Sequence, residues 1–226
     1  MMLHVPRVLD ATQVADFRKR LAAAGWTDGR ITAGFQSVLA KNNLQLPQSD
    51  PVARELAAAV CTALERSPLF FAAALPRLVY TPLFNRYEPG MTFGAHVDNA
   101  IRQVPGAPLR VRTDLSMTLF LTRPEEYDGG ELVIGTASGT HHIKLPAGDL
   151  VLYSATTVHR VEAITRGERL ASFFWIQSMV RDDGERSLLF DLDLAIQQLN
   201  QEHAGHLSAV KLVGVYHNLL RRWSEL

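Results

Sequence analysis

The chain has 226 residues, with 23 Lys plus Arg set against 23 Asp plus Glu. That length holds one domain with an accessory element, or two small domains, and can bury a sizeable core. The even charge gives no electrostatic footprint for nucleic acid or an acidic membrane surface, and no apolar run approaches the ~20 residues of a membrane span.

The single cysteine, Cys61, cannot form an internal disulfide, and in AAAVCTALE it reads as a small core residue. The N-terminal MMLHVPRVLD lacks a basic segment followed by an apolar one. Together these give the expectation of a soluble, cytoplasmic protein with no nucleic-acid or membrane partner.

In chain order, DATQVADFRKRLAAAG comes first, with Asp10 as a cap, Val14, Phe17 and Leu21 at helical spacing, and Gly25 as a stop. SDPVARELAAAVCTALER opens with Ser and Asp cap candidates and Pro51 in the first turn, and it repeats Val52, Leu56, Val60 and Leu64 along one face. From about Leu78 the period shifts towards two. PLFNRY, TDLSMTLFLT, ELVIGT, HHIKL, DLVLYS, HRVEAI and RLASFFWIQSMV are separated by the turn signals EPG, DGG, PAG and RGE. Such punctuation predicts an antiparallel sandwich or jelly roll.

In TDLSMTLFLT, Leu115, Met117, Leu119 and Leu121 form a packing face, and Ser116, Thr118, Phe120 and Thr122 face a cavity or solvent. From Ser187 onward, Leu188, Leu192, Ile196 and Leu199, then Leu212, Tyr216, Leu219 and Trp223, recur at helical intervals on either side of Ala204 and Gly205. A helical hairpin is expected, capping one face of the β core, with a homodimer surface as the alternative. The chain divides into a helical and β support region at 1–77, a β core at 78–180 and a C-terminal helical element at 181–226.

FGAHVDNA, residues 93 to 100, supplies the first chemistry. In a strand, positions i and i+2 face the same way, so His96 and Asp98 converge. An imidazole and a carboxylate on one face are two-thirds of the facial triad that holds non-haem Fe(II) and leaves positions open for substrate and oxygen.

The third ligand lies among the remaining histidines. His203, His206 and His217 fall in the helical tail and His4 precedes the first helix, so these read as solvated or capping. The residues alone leave His141 and His142 against His159. His159 has the better setting, after DLVLYSATT and one hairpin's length before Arg169. Arg169 itself begins a strand that is apolar on both faces. It is either the exposed flank of ITRGER, or a planar fork of donors entering the interior to meet a ligand's carboxylate.

The order His96-x-Asp98, His159, Arg169 resembles the Fe(II)- and 2-oxoglutarate-dependent dioxygenases of the prolyl 4-hydroxylase type, and more closely still the bacterial PKHD-type hydroxylases, a group with an iron-uptake-associated member. The resemblance covers nearly the whole chain: WTDGRITAG, KNNLQL, FFAAALPR, PLFNRYEPGMTFGAHVD, RTDLSMTLFL, YDGGELVI, KLPAGDLVLYSATTVHRVEAITRGER, ASFFWIQSMVRD and YHNLLRRWSE. It implies a mainly β chain with flanking helices, built on a double-stranded β-helix (jelly roll) core. It also implies iron held by His96, Asp98 and His159, and Arg169 binding the distal carboxylate of 2-oxoglutarate.

The co-substrates it implies are 2-oxoglutarate and O2, with L-ascorbate as rescuing reductant. The hydroxylated substrate stays open between a peptide and a small molecule, and a homodimer stays open as the assembly. Tyr87 is a candidate second partner for 2-oxoglutarate or a core-edge packing residue. Lys41, Asn42 and Asn43 line a substrate cleft or form a polar turn, and the 99–112 loop is expected near the substrate entrance. A cupin-like isomerase, a zinc-dependent hydrolase and a non-catalytic metal module remain rivals, since His96, Asp98 and His159 would serve each of them without Arg169.

Overall fold

The computed structural model describes residues 1–32 and 37–226, so Ala33 and Gly34 of WTDGRITAG lie outside the described residues. Strand β1 (Met2–Val5) comes first, and it contains His4. This departs from the sequence reading. Four residues are too few to show a period-two pattern. The strand forms by pairing antiparallel with the later segment Leu150–Ser154, and His4 Nε2 lies 2.7 Å from Asp149 Oδ2.

Helix α1 (Ala11–Ala22) begins at Asp10, whose carboxylate accepts from Gln13 N at 2.8 Å while Gln13 Oε1 accepts from Asp10 N at 2.9 Å. Two orphan donors are satisfied reciprocally. Three two-residue strands come next: β2 (Thr27–Asp28), β3 (Lys41–Asn42) and β4 (Leu44–Gln45). Helix α2 (Pro51–Glu65) starts at Asp50, which accepts from Val52 N at 2.7 Å, with Pro51 pre-set for the first turn. Cys61 on this helix is half-buried rather than a fully enclosed core residue. The short helix α3 (Pro68–Ala74) escapes the sequence reading because seven residues span barely two turns.

The β region then runs β5 (Pro76–Val79), β6 (Leu83–Tyr87), β7 (Thr92–His96), β8 (Ile101–Gln103), β9 (Arg110–Arg112) and β10 (Leu115–Phe120). It continues with β11 (Asp128–Gly129), β12 (Leu132–Thr136), β13 (Gly139–Ile143), β14 (Leu150–Ser154), β15 (His159–Val161), β16 (Ile164–Arg166) and β17 (Arg169–Ser178). Among the described residues, an eight-stranded sheet takes the order β1-β14-β10-β17-β6-β4-β2 with β5 beside β17, and a five-stranded sheet takes the order β13-β12-β15-β7-β3. Strands β1, β2 and β4 thus extend the larger sheet, and β3 extends the smaller one. The 99–112 segment is a short antiparallel hairpin, β8 on β9, rather than an open loop.

The larger sheet is buried on both faces, which explains why β17 reads as apolar throughout. On its outer face Phe17, Leu21, Leu56, Val60 and Leu64 of α1 and α2 pack against Leu115, Met117, Leu119, Leu152 and Phe174. Each such aliphatic side chain contributes roughly 1.5–3 kcal/mol when fully removed from water. On the inner face Phe120, Val151 and Tyr153 meet Leu132, Ile134 and Val161 of the smaller sheet. The two sheets enclose a jelly-roll interior.

The tail is a helical hairpin, α4 (Asp183–Glu202) and α5 (Leu207–Trp223), with Gly205 at φ +80° in the turn between them. His206 caps α5 by accepting from Ser208 N. A satellite core of Leu75, Val180 and Leu189 anchors the hairpin, and Tyr216 and Trp223 pack on it. The buried Arg186 donates to Val180 O at 2.6 Å and pairs with Asp183. Leu188 departs from the expected inward stripe. Ile196 is buried as expected and Leu192 and Leu199 are part-buried, but at the start of α4 Leu189 and Phe190 are buried instead and Leu188 is 61% exposed. Leu207 and Val210 of α5 also face outward. No single helix among the described residues is long and apolar enough to cross a membrane.

One turn ties this frame to the interior. Gly129 has φ +72°, and a Cβ there would stand 2.0 Å from the carbonyl oxygen of Ala163, while the adjoining Gly130 leaves room for the Arg169 side chain. Gly129→Ala is expected to destabilise the protein by about 2 to 4 kcal/mol, through left-handed backbone strain and a clash with a fixed carbonyl, as measured by urea denaturation.

Candidate functional site

In the smaller sheet β15 pairs with β7 so that His159 stands directly opposite His96. Opposed residues of an antiparallel pair share a face, and the two imidazole rings meet with centroids 4.2 Å apart. Asp98 joins them from two residues beyond the end of β7. It is therefore delivered by a loop and not by strand alternation. Ser116 in β10 holds it there, its Oγ donating to Asp98 Oδ2 at 2.5 Å. His159 Nε2 lies 3.7 Å from Asp98 Oδ2, and one ligand atom from each of the three residues falls within 4.8 Å of the others.

The protonation pattern suits a cation. His96 Nδ1 is 2.8 Å from Gly94 O, and His159 Nδ1 is 3.0 Å from Thr157 O. A carbonyl oxygen only accepts, so each Nδ1 carries a proton and donates, which leaves Nε2 as the ring nitrogen with which each histidine could meet a metal. Burial, and then the neighbouring His159, push His96 down to about 4, so it is neutral near pH 7. Phe93 stacks on its ring at 3.7 Å between centroids and fixes its plane.

Arg169 is 1% exposed and sits opposite Tyr87 across the β17–β6 pair. Its guanidinium carbon is 5.4 Å from the Tyr87 ring centre and 5.2 Å from that of Phe120, and Nε and Nη1 are buried without a hydrogen-bond partner among the described residues. The expected single hairpin carrying both His159 and Arg169 is not found. β15 belongs to the smaller sheet and β17 to the larger, and between them β16 pairs with β11, so the two residues reach the interior from opposite sheets.

His141 and His142 lie on β13, the edge strand of the smaller sheet, where His141 Nε2 sits 3.1 Å from Thr136 Oγ1. Tyr87 and Lys41 line the cavity. Asn42 is exposed and donates to Gly90 O at 3.3 Å, and Asn43 is buried beside Gly29 outside the cavity lining.

A cavity opens between the two sheets, and the three-residue cluster and Arg169 line the same space. Ser116, on the β10 face read as open to a cavity or solvent, also lines it, as do Tyr153, Arg102 and Trp175, which sequence reasoning did not single out. For Ser116 a signal existed in the polar alternation of β10. Arg102 lies in the 99–112 segment expected near the substrate entrance, and what the sequence did not indicate is that this segment is a hairpin that turns Arg102 into the cavity. Burial raises the Tyr87 phenol and raises that of Tyr153 strongly, so both remain protonated donors at neutral pH.

A two-imidazole, one-carboxylate donor set fits Fe(II) with open positions, and a buried guanidinium with orphaned N–H groups fits a dicarboxylate's far end. The sequence comparisons agree with that chemistry. Residues 82–177 match the 2OG-Fe(II) oxygenase superfamily, and residues 183–225 match the PKHD-type hydroxylase C-terminal domain. A PKHD-type hydroxylase of Burkholderia cenocepacia is 59% identical over 226 residues, covering 100% of both chains. One of Xanthomonas campestris is 57% identical over 228 residues, again covering 100% of both.

The chain belongs to the PKHD-type hydroxylase family. It is accordingly a 2-oxoglutarate-dependent dioxygenase that uses iron. Solved structures share the hydroxylase's fold. A Pseudomonas putida prolyl-4-hydroxylase superposes with TM-score 0.51 at 23% identity, covering 78% of this chain and 92% of that one. A Trichoplax adhaerens prolyl hydroxylase in complex with a hypoxia inducible factor peptide gives 0.56 at 12% identity, covering 83% and 86%.

In the hydroxylase, Ser116→Ala is expected to weaken divalent metal binding about ten- to hundredfold by releasing the Asp98 carboxylate, whereas His141→Ala on the edge strand should leave it unchanged. Anaerobic Fe(II) titration with calorimetry checks both.

Proposed function

We propose that this dioxygenase hydroxylates its primary substrate using iron held by His96, Asp98 and His159, with the distal carboxylate of 2-oxoglutarate on Arg169. The observation that carries this reading is Arg169, a buried cation whose Nε and Nη1 have no partner among the described residues, lining the same cavity as the three-donor cluster. An uncompensated buried charge costs several kcal/mol, so the arrangement is sensible only if a ligand completes it.

When bound, the metal and 2-oxoglutarate supply oxygen activation, with release of succinate and carbon dioxide and hydroxylation of a nearby C–H bond. The chain's own residues place and shield. Gly94 and Thr157 carbonyls orient the imidazoles, Ser116 orients Asp98, and the Tyr87 ring lies against Arg169 as a second donor for the same carboxylate. Phe93, Phe173 and Trp175 keep the cavity walls apolar. The reading extends to a peptide or small-molecule substrate, a role connected with iron uptake and a reducing, cytoplasmic setting. The free thiol of Cys61 supports the reducing setting, and the iron-uptake connection rests on the sequence resemblance alone.

The test is anaerobic titration of the Fe(II) protein with 2-oxoglutarate and with pyruvate, followed by oxygen and measurement of succinate. Pyruvate offers nothing to the guanidinium, so 2-oxoglutarate should bind far more tightly. Arg169→Ala should lose roughly thirtyfold or more in 2-oxoglutarate affinity, and Arg169→Lys should recover only part, because it keeps the charge and loses the fork. Equal binding of the two acids, or an unchanged Arg169→Ala protein, would remove the assignment. L-Ascorbate is proposed as the reductant that restores Fe(II) after turnover without substrate. Progress curves without it should decay and be restored on its addition, and undiminished turnover in its absence would count against that role.

A further inference from the structure

The cavity carries charge that iron and 2-oxoglutarate do not neutralise. Three lining side chains are cationic, Lys41, Arg102 and Arg169, against one carboxylate, Asp98. A divalent metal and a dicarboxylate cancel one another, so the positive surplus survives loading. If 2-oxoglutarate meets Arg169, that surplus resides on Lys41 and Arg102.

These two residues reach the cavity from different elements. Lys41, on β3, is 5% exposed; its ammonium donates to Gln45 Oε1 at 3.0 Å and stands 5.5 and 5.7 Å from the ring centres of Phe93 and Phe173. Arg102 comes from the β8–β9 hairpin. Its guanidinium carbon lies 3.9 Å from the centre of the Trp175 ring and 5.2 Å from that of Tyr80, and its Nε is buried without a partner among the described residues.

Stacking fixes the plane of the guanidinium and leaves its edge to donate. The two cations also feel one another. Burial first, and then Arg102, lower the Lys41 amine to about 8. An anion seated against both would relieve that repulsion and complete the Arg102 donors.

Building on the assignment of iron to His96, Asp98 and His159 and of 2-oxoglutarate to Arg169, we propose that Lys41 and Arg102 form a subsite for a carboxylate on the primary substrate, whose apolar body rests against Phe173 and Trp175. The hydroxylated molecule is then an organic acid or an acid-bearing peptide end, held by its anion while a C–H bond is presented to the metal. A planar carboxylate matches the guanidinium edge, and the flanking aromatic rings exclude the water that would otherwise solvate it.

Matched probes test this: the N-acetyl derivatives of glycine, proline and phenylalanine, each as free acid and as amide. They are titrated anaerobically into the full chain loaded with Fe(II) and saturating 2-oxoglutarate, and binding is read from tryptophan fluorescence. Appearance of the metal-to-2-oxoglutarate absorption band before any probe is added tests the dioxygenase site separately. In at least one pair the acid should bind about tenfold more tightly than its amide, the size expected for one charge-assisted pair. Arg102→Gln and Lys41→Met should each erode that preference, and Arg102→Lys should retain part of it. Equal affinities of acid and amide in all three pairs, or a preference that persists in both Arg102→Gln and Lys41→Met, would overturn the subsite. So would loss of the absorption band on adding an acid, which would mean that the probe competes at Arg169.

Discussion

The register of β15 on β7 is the constraint on which the site depends. His159 opposes His96, and because side chains alternate with period two, a slip of one residue would turn one imidazole out of the interior. Two features hold the register. Leu132 and Ile134 of β12, on the far side of β15, align with Val161 and His159, and Thr92 Oγ1 donates across to Val161 O at 2.7 Å. The irregularity between His159 and Val161 is absorbed within that same pair. Asp98 then needs only to be turned inward, which one hydroxyl on the opposite sheet does.

That opposite sheet is rigid because it is buried twice. Helices α1 and α2 cover its outer face and the smaller sheet covers its inner face, so β10 and β17 carry large apolar side chains on one side and place the polar groups Ser116 and Arg169 on the other. Packing of this kind tolerates little displacement. The two clustered histidines therefore belong to one sheet and Asp98 to the loop that follows it, while the hydroxyl that steers Asp98 and the buried cation belong to the other sheet. The site exists only where the two sheets face each other.

Electrostatics gives the cavity its direction. Two imidazoles and one carboxylate gather at the His96–His159 pair, and Arg169 lies among the aromatic rings of Tyr87 and Phe120. Under the proposed assignment, a molecule negative at both ends would lie between a chelated cation and the Arg169 guanidinium. The proposed subsite at Lys41 and Arg102 would extend the same logic from the co-substrate to the molecule being hydroxylated. Little of this is visible in the net charge of the chain, which is zero.

Local chemistry alone determined a good deal. Asp10 and Asp50 start helices because each satisfies an orphan N–H within its own first turn, and the alternation in β10 and the continuous apolar run of β17 reflect burial that period and composition encode directly. The spacing of His96 and Asp98 keeps them close in the chain, but it is the loop after β7 and Ser116 of the opposite sheet that turn Asp98 towards the histidines. Elements too short to show a period, β1 and α3 among them, were not legible, since long-range pairing or packing creates them. Nor could the sequence choose among His141, His142 and His159 by physics, or say that His159 and Arg169 arrive from different sheets. Those outcomes depend on which strand pairs with which, and cross-strand pairing is a contest among distant segments that no local pattern decides. Sequence determined what each segment can be, and only the closing of two sheets around one interior decided which side chains meet there.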